Sequence, residues 1–226
     1  HLGLIAMAAA STAAGLPPLA SAALASAAQQ VPAQQPLEIH FIGELELGTR
    51  FPGVAFSEGL FVDYSVHAGS EWLPIAKPEG YVGQTQTSYA DGEGMYVFNH
   101  PLDFHYIAFS IEDWPRIHMQ VLRLDAAGRV DTVSYGALSL PVTPGHADLD
   151  CHTWTPLSES LLGEARVAHT GERLELSASR AEMLDGKLPK ERPQLLTKTS
   201  GTVRITLDSI FRHASTHGLL MPKQRS

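Results

Sequence analysis

Residues 120–141 read "QVLRLDAAGRVDTVSYGALSLP": an apolar strand-like run, a loop that holds Asp125 and Asp131, and a second such run. The same texture extends both ways along the chain. "LEIHFIGELEL" (37–47), "LFVDYSVHA" (60–68), "MYVFNHPLDFHYIAF" (95–109), "RIHMQVLRL" (116–124), "VSYGALSLPV" (133–142) and "GTVRITLDSIF" (201–211) are rich in Val, Ile, Phe, Tyr and Thr, with Gly, Pro, Asp and Asn between them. Ile117, Met119 and Val121 share one face and His118 and Gln120 the other; Val203, Ile205 and Leu207 alternate in the same way with Arg204, Thr206 and Asp208. Alternation with period two marks half-buried antiparallel strands, and several such strands without long helical patterns between them predict an all-β sandwich. One domain is expected from Leu37 to about Thr216. Residues 157–195 carry more charge and predict a short helical or loop insertion before the last strand, with Ser158 as a helix cap. Residues 217–226 form a tail.

A loop of the 125–131 outline holds calcium in some membrane-binding sandwiches, so its chemistry decides whether a metal is expected. Calcium takes 6–8 oxygen ligands, chiefly carboxylates from facing loops. The loop runs Asp125-Ala126-Ala127-Gly128-Arg129-Val130-Asp131, with alanine where a middle carboxylate is needed and a cation beside it. The best facing stretch, "HAGSEWLPIAKPEGY" (67–81), offers Glu71 and Glu79 but also Lys77. The expectation is a tight turn through Asp125 and Gly128, a solvated Asp131, and no metal.

The totals narrow the function further. The chain has 226 residues, a formal charge of −8 and scattered Lys and Arg, which argues against a nucleic-acid groove and against non-specific adhesion to anionic lipid. One cysteine, Cys151, rules out a disulfide framework within the chain and a cysteine-based zinc cluster. Residues 1–36 are Ala-rich and of low complexity; Pro17 and Pro18 interrupt them and the first cation is Arg50, so a disordered leader is expected rather than a membrane span or a targeting peptide.

Eleven histidines invite a metalloenzyme reading, with His100, His105 and His118 as jelly-roll ligands. An offset of five places His100 and His105 on opposite faces of a regular strand, so ordinary structural histidines are favoured. Cys151 and His152 are adjacent and point apart on a strand, which argues for a buried, inert thiol. Asp148 and Asp150 share a face of a strand and read as a solvated edge. Neither a nucleophile elbow, a phosphate loop nor a dinucleotide fingerprint appears. The predicted sets are therefore empty: no catalytic, cofactor-binding or metal residues. The three tryptophans, Trp72, Trp114 and Trp154, lie near strand ends or prolines. Packing explains them, and Trp72 is the one expected to bind a partner from an exposed position.

Certain strings in this chain occur together in a recognisable order. "GLFVDYSVHAGSEW" (59–72), "GQTQ" (83–86), "HPLDFHY" (100–106), "DWPRIHMQV" (113–121), "SYGALSLPVTPG" (134–145) and "HTWTPL" (152–157) resemble the B9 domain family over roughly Leu37–Thr216. Gly83, Gln84, Trp114, Pro115, Tyr135, Gly136, Pro144, Gly145 and Trp154 fall on its structural motif positions. The resemblance implies a C2-like antiparallel sandwich of about eight strands, without enzymatic activity or cofactor. It implies a scaffold at the cytoplasmic side of the ciliary transition zone, near the basal body. The partners it implies are other B9-domain proteins and tectonic-type transition-zone membrane proteins, in the Meckel syndrome complex that cilium assembly requires and that gates entry of ciliary membrane proteins. The alternative is a calcium-independent lipid-binding C2-type module in peripheral contact with the membrane, using a patch around Lys187, Lys190, Arg192 and Lys198. The leader and the 157–195 segment depart from the family pattern.

Overall fold

Strand β1 (Leu37–Thr49) shows how alternation becomes burial. Leu37, Ile39 and Phe41 are fully buried, while Glu38 and His40 are only half-buried and Ile42 is exposed. The computed structural model describes residues 35–75, 77, 80–157 and 196–219. After β1 come β2 (Gly59–His67), β3 (Trp72–Pro74), β4 (Tyr81–Gln84), β5 (Ser88–Tyr89), β6 (Met95–Ala108), β7 (Arg116–Leu124), β8 (Val130–Ser139), β9 (Gly145–Pro156) and β10 (Thr197–Arg212), then a 3-10 turn at Ala214–His217. The all-β expectation holds, and β3 and β5, of three and two residues, account for the excess over about eight strands.

Every pairing is antiparallel, in the order β3-β6-β1-β10-β9-β8-β7-β2-β4, with β5 also on β2. β8 and β9 pair only at Tyr135–Trp154. There the sheet folds over, and β3-β6-β1-β10-β9 packs as one layer against β8-β7-β2-β4 as the other. Ile39, Phe41, Val203, Ile205 and Leu207 of the first layer share one buried cluster with Val62, Ile117, Met119 and Val121 of the second. Burying side chains from both inner faces is what stabilises a sandwich.

β7 departs from the half-buried pattern. Ile117 through Val121 are all buried, including His118 and Gln120. The strand is central, paired with β2 on one side and β8 on the other. On its outer face the His67 ring stacks on His118 at 4.5 Å and Gln120 donates to Thr132 Oγ1. Gln120 tolerates burial because its amide has that hydrogen-bond partner.

The edge of β6 is closed by a side chain rather than by a strand. β3 pairs with β6 only at Tyr106–Ala108. Next along, the Tyr81 hydroxyl accepts the His105 N–H at 2.8 Å and donates to the His105 carbonyl at 2.7 Å. Pro101 and Asn99, the latter at φ 42°, break the regularity of the remaining edge, which discourages pairing with another chain.

The insertion and the Ser158 cap lie outside the described residues, as do almost all of the leader and the tail. Where the chain leaves and rejoins the sandwich, Leu157 N–H donates to the Leu196 carbonyl at 2.8 Å, beside the pair Pro156–Thr197.

Candidate functional site

The Asp125 loop joins β7 to β8 and is closed from within. Asp125 Oδ1 accepts the backbone N–H groups of Ala127 and Arg129, each at 2.8 Å, and Oδ2 takes Arg129 Nε at 2.7 Å. The Gly128 N–H donates to the Asp125 carbonyl at 3.0 Å. The backbone bond from Arg129, then its guanidinium, holds the Asp125 carboxyl below the usual carboxylate range. Both oxygens of the best candidate ligand are therefore committed to the turn.

Asp131 is not merely solvated, as expected, but paired. It meets Arg123 Nη2 at 2.7 Å, and Arg123 Nη1 reaches Glu58 at 3.4 Å. The cause is register: Arg123 stands opposite Asp131 across β7 and β8. Register also corrects the facing loop. Leu124 pairs with Gly59 but Arg116 pairs with His67, so the stretch after His67 sits at the opposite end of the sandwich from Asp125. Glu71 cannot face the loop; Glu79 lies outside the described residues. The chain segment beside the loop is the one before β2, and its Glu58 is bound to Arg123.

The three histidines do not converge. His105 is on the outer face of the first layer, with its ring stacked on His40 at 4.6 Å and Nε2 3.1 Å from Glu38. His100 turns the other way, toward the Tyr64 hydroxyl at 3.2 Å, and partial burial, with Lys77 nearby, lowers its pKa. His118 is on the outer face of the second layer. Among the described residues no group of three or more His, Cys, Asp or Glu side chains is arranged to hold a metal ion. Cys151 is buried in the core, which pushes its thiol up to about 11. Asp150 is bound to Arg204 at 2.9 Å and Asp148 to Thr206 at 3.1 Å.

Trp72 is buried, only 4 % exposed. Its indole N–H donates to the Glu112 carbonyl at 2.9 Å, and its ring meets Trp114 at 4.9 Å and Tyr106 at 5.8 Å. An exposed docking indole does not fit this position; the side chain is a core anchor for the 109–115 loop. Trp114 Nε1 donates to the Leu140 carbonyl at 3.0 Å, and the Leu140 N–H donates to the Pro115 carbonyl at 3.0 Å, so the Trp-Pro pair ties β7's entry to β8's exit.

The other motif positions occupy varied places. Tyr135 and Trp154 form the strand-pairing bridge between β8 and β9, their rings 5.5 Å apart. Gly136 lies so close to β9 that a Cβ would stand 2.9 Å from Cys151 Sγ. Gly145, which follows Pro144 and opens β9, has φ 112°, a conformation that L side chains rarely adopt. Gly83 covers the Tyr64 ring. With Gln84 it lines a groove of about 430 Å³ across β4, β2 and β7, whose floor includes Asp63, His118 and Gln120.

Sequence reasoning missed Arg123 and Tyr81. The signal for Arg123 was its position two residues before Asp125, mirrored by Asp131 two residues after Arg129. Tyr81 gave none, because its hydroxyl partner is on β6.

Residues 39–210 match the family model described as "Ciliary basal body-associated, B9 protein". B9 domain-containing protein 2 of Rattus norvegicus is 32 % identical over 183 residues, covering 80 % of this chain and 98 % of that protein. The Homo sapiens protein of the same name is 30 % identical with the same coverage. Tectonic-like complex member MKS1 of Rattus norvegicus is 37 % identical over 101 residues, 43 % of this chain and 18 % of that protein. Among solved structures, a C2 domain of a plant extended synaptotagmin 1 aligns at TM-score 0.41 and 10 % identity, covering 77 % of this chain and 95 % of that one.

Proposed function

This chain belongs to the B9 domain family of ciliary basal body-associated proteins, and from that premise we propose that it is a non-enzymatic scaffold subunit of the ciliary transition zone. It binds other B9-domain proteins there, on the cytoplasmic side, within a tectonic-type complex that gates entry of membrane proteins to the cilium. The observation that carries this reading is the alignment with B9 domain-containing protein 2, which extends over 98 % of that protein's length. The partial match to a tectonic-like complex member points the same way. The chemistry of the loop agrees: both oxygens of Asp125 and one of Asp131 are engaged within the hairpin, by Arg129, Ala127 and Arg123, as suits a sandwich used for assembly.

The test is co-expression of the full chain with the other B9-domain proteins of its source, followed by size exclusion with light scattering. A stable hetero-complex is expected. A chain that stays monomeric with them present refutes the scaffold role. A fluorescent fusion should concentrate at the ciliary base, and diffuse signal in ciliated cells counts against the placement.

A further inference from the structure

The outer face of the first layer is uneven in a way that its fold does not require. Toward β9 it is polar, with Asp148, Asp150, His152, Arg204 and Thr206 on its rows. Toward the β3–β6 edge it turns apolar. Leu73 pairs with Ile107, and Ile107 with Glu38 and so with Arg212. One row along, the Ile75 N–H donates to the His105 carbonyl, and His105 pairs with His40, which pairs with Ile210. The next row runs Asp103, Ile42, Asp208. Beyond the end of β6, the Phe109 N–H donates to the Glu71 carbonyl and continues the alternation.

Leu73, Ile75, Phe109, Ile210 and Ile42 are exposed at 51, 44, 55, 55 and 42 %. Solvated outer faces ordinarily alternate to polar residues. Leu73, Ile75, Ile107 and Phe109 adjoin at this corner, with Ile42 and Ile210 beyond Glu38, His40 and His105; an apolar corner with a polar surround marks a surface that something covers. Its edge strand is three residues long and ends in Pro74. That geometry cannot template a further strand, so the occupant lies on the face.

We infer that this corner, centred on Leu73, Ile107 and Phe109, docks a separate polypeptide that presents an apolar centre ringed by Arg or Lys. The charge selects that occupant. On these rows Glu38, Glu71, Asp103 and Asp208 stand against one guanidinium, Arg212, itself tied to Glu38 at 2.9 Å. A second copy brought face to face would set these carboxylates against their own kind, and an anionic membrane would be repelled in the same way. The inference rests on the scaffold reading and assigns it a surface.

The experiment compares the full chain with L73S/F109S and with the control V130S, a change to an exposed residue in β8, next to the Asp125 loop. The probe is the co-expressed set of B9-domain proteins from the same source. L73S/F109S should fold normally by circular dichroism and weaken the complex about tenfold or more, as hot-spot truncation does. D208K should weaken it further at low salt and flatten its salt dependence, and V130S should change nothing. A complex that survives L73S/F109S unchanged overturns this inference and leaves the scaffold role standing. No complex with the wild-type chain overturns both. Self-association, or binding to phosphatidylserine vesicles, that L73S/F109S abolishes overturns the choice of occupant.

Discussion

Tyr81→Phe removes one oxygen atom and tests how the open edge of β6 is closed. Tyr81 is 2 % exposed and its hydroxyl makes two bonds to one residue, at 2.8 Å to His105 N–H and 2.7 Å to its carbonyl. The carbonyl keeps the Ile75 N–H at 2.9 Å. The His105 N–H is left facing a benzene ring in a part-buried site. Losing the bond to the carbonyl costs about 1 kcal/mol, and orphaning the donor in a part-buried site costs about 1–2 kcal/mol, so the expected loss is about 2–3 kcal/mol. Urea denaturation should show a lower midpoint with an unchanged slope. The melting temperature should fall by about 4–10 °C. Tyr64→Phe is the matched control: its hydroxyl reaches only the partly exposed His100 ring, at 3.2 Å, and should cost under about 1 kcal/mol. A Tyr81→Phe loss below about 0.5 kcal/mol, or one equal to that of Tyr64→Phe, would refute the idea that this hydroxyl substitutes for a strand.

Trp72→Ala should destabilise the domain by about 3–5 kcal/mol in the same denaturation assay, as deletion of a buried aromatic does; a near-neutral result would return Trp72 to the surface. For Asp125 the folded carboxyl titrates below its ordinary value, so its contribution is present above the unfolded pKa of about 3.9 and is lost as pH falls through the lower folded one. Amide shifts of Ala127 and Arg129 should therefore move with a midpoint below that value, and a midpoint at or above it contradicts the closed turn. Burial raises the Cys151 thiol to about 11; its share of stability is present below the unfolded thiol's pKa of about 8.5 and is lost as pH climbs toward the folded value. At pH about 8 the thiol should resist a disulfide reagent until urea unfolds the chain, and rapid reaction of the native protein would disprove its burial.

What the sequence revealed follows from where each signal originates. The alternation of Val203, Ile205 and Leu207 is a local property and translates directly into full burial. β9 was harder to read because its outward residues His146, Asp148, Asp150 and His152 are polar and its inward ones include small Ala147, Cys151 and Thr153. Its strand character comes from pairing with β10. Trp72 misled for a related reason. Its packing and hydrogen-bond partners, Tyr106, Glu112 and Trp114, are more than 30 residues away in the chain. The Asp125 turn was legible because its bonds span four residues, whereas the Asp131–Arg123 pair depends on hairpin register.

The bond from Leu157 to Leu196 makes a neck. Whatever polypeptide runs between those two residues departs and returns at one point, so its length is nearly free: doubling a loop costs only about 0.6 kcal/mol of closure entropy. A reporter spliced between the two would meet both of its attachment points side by side.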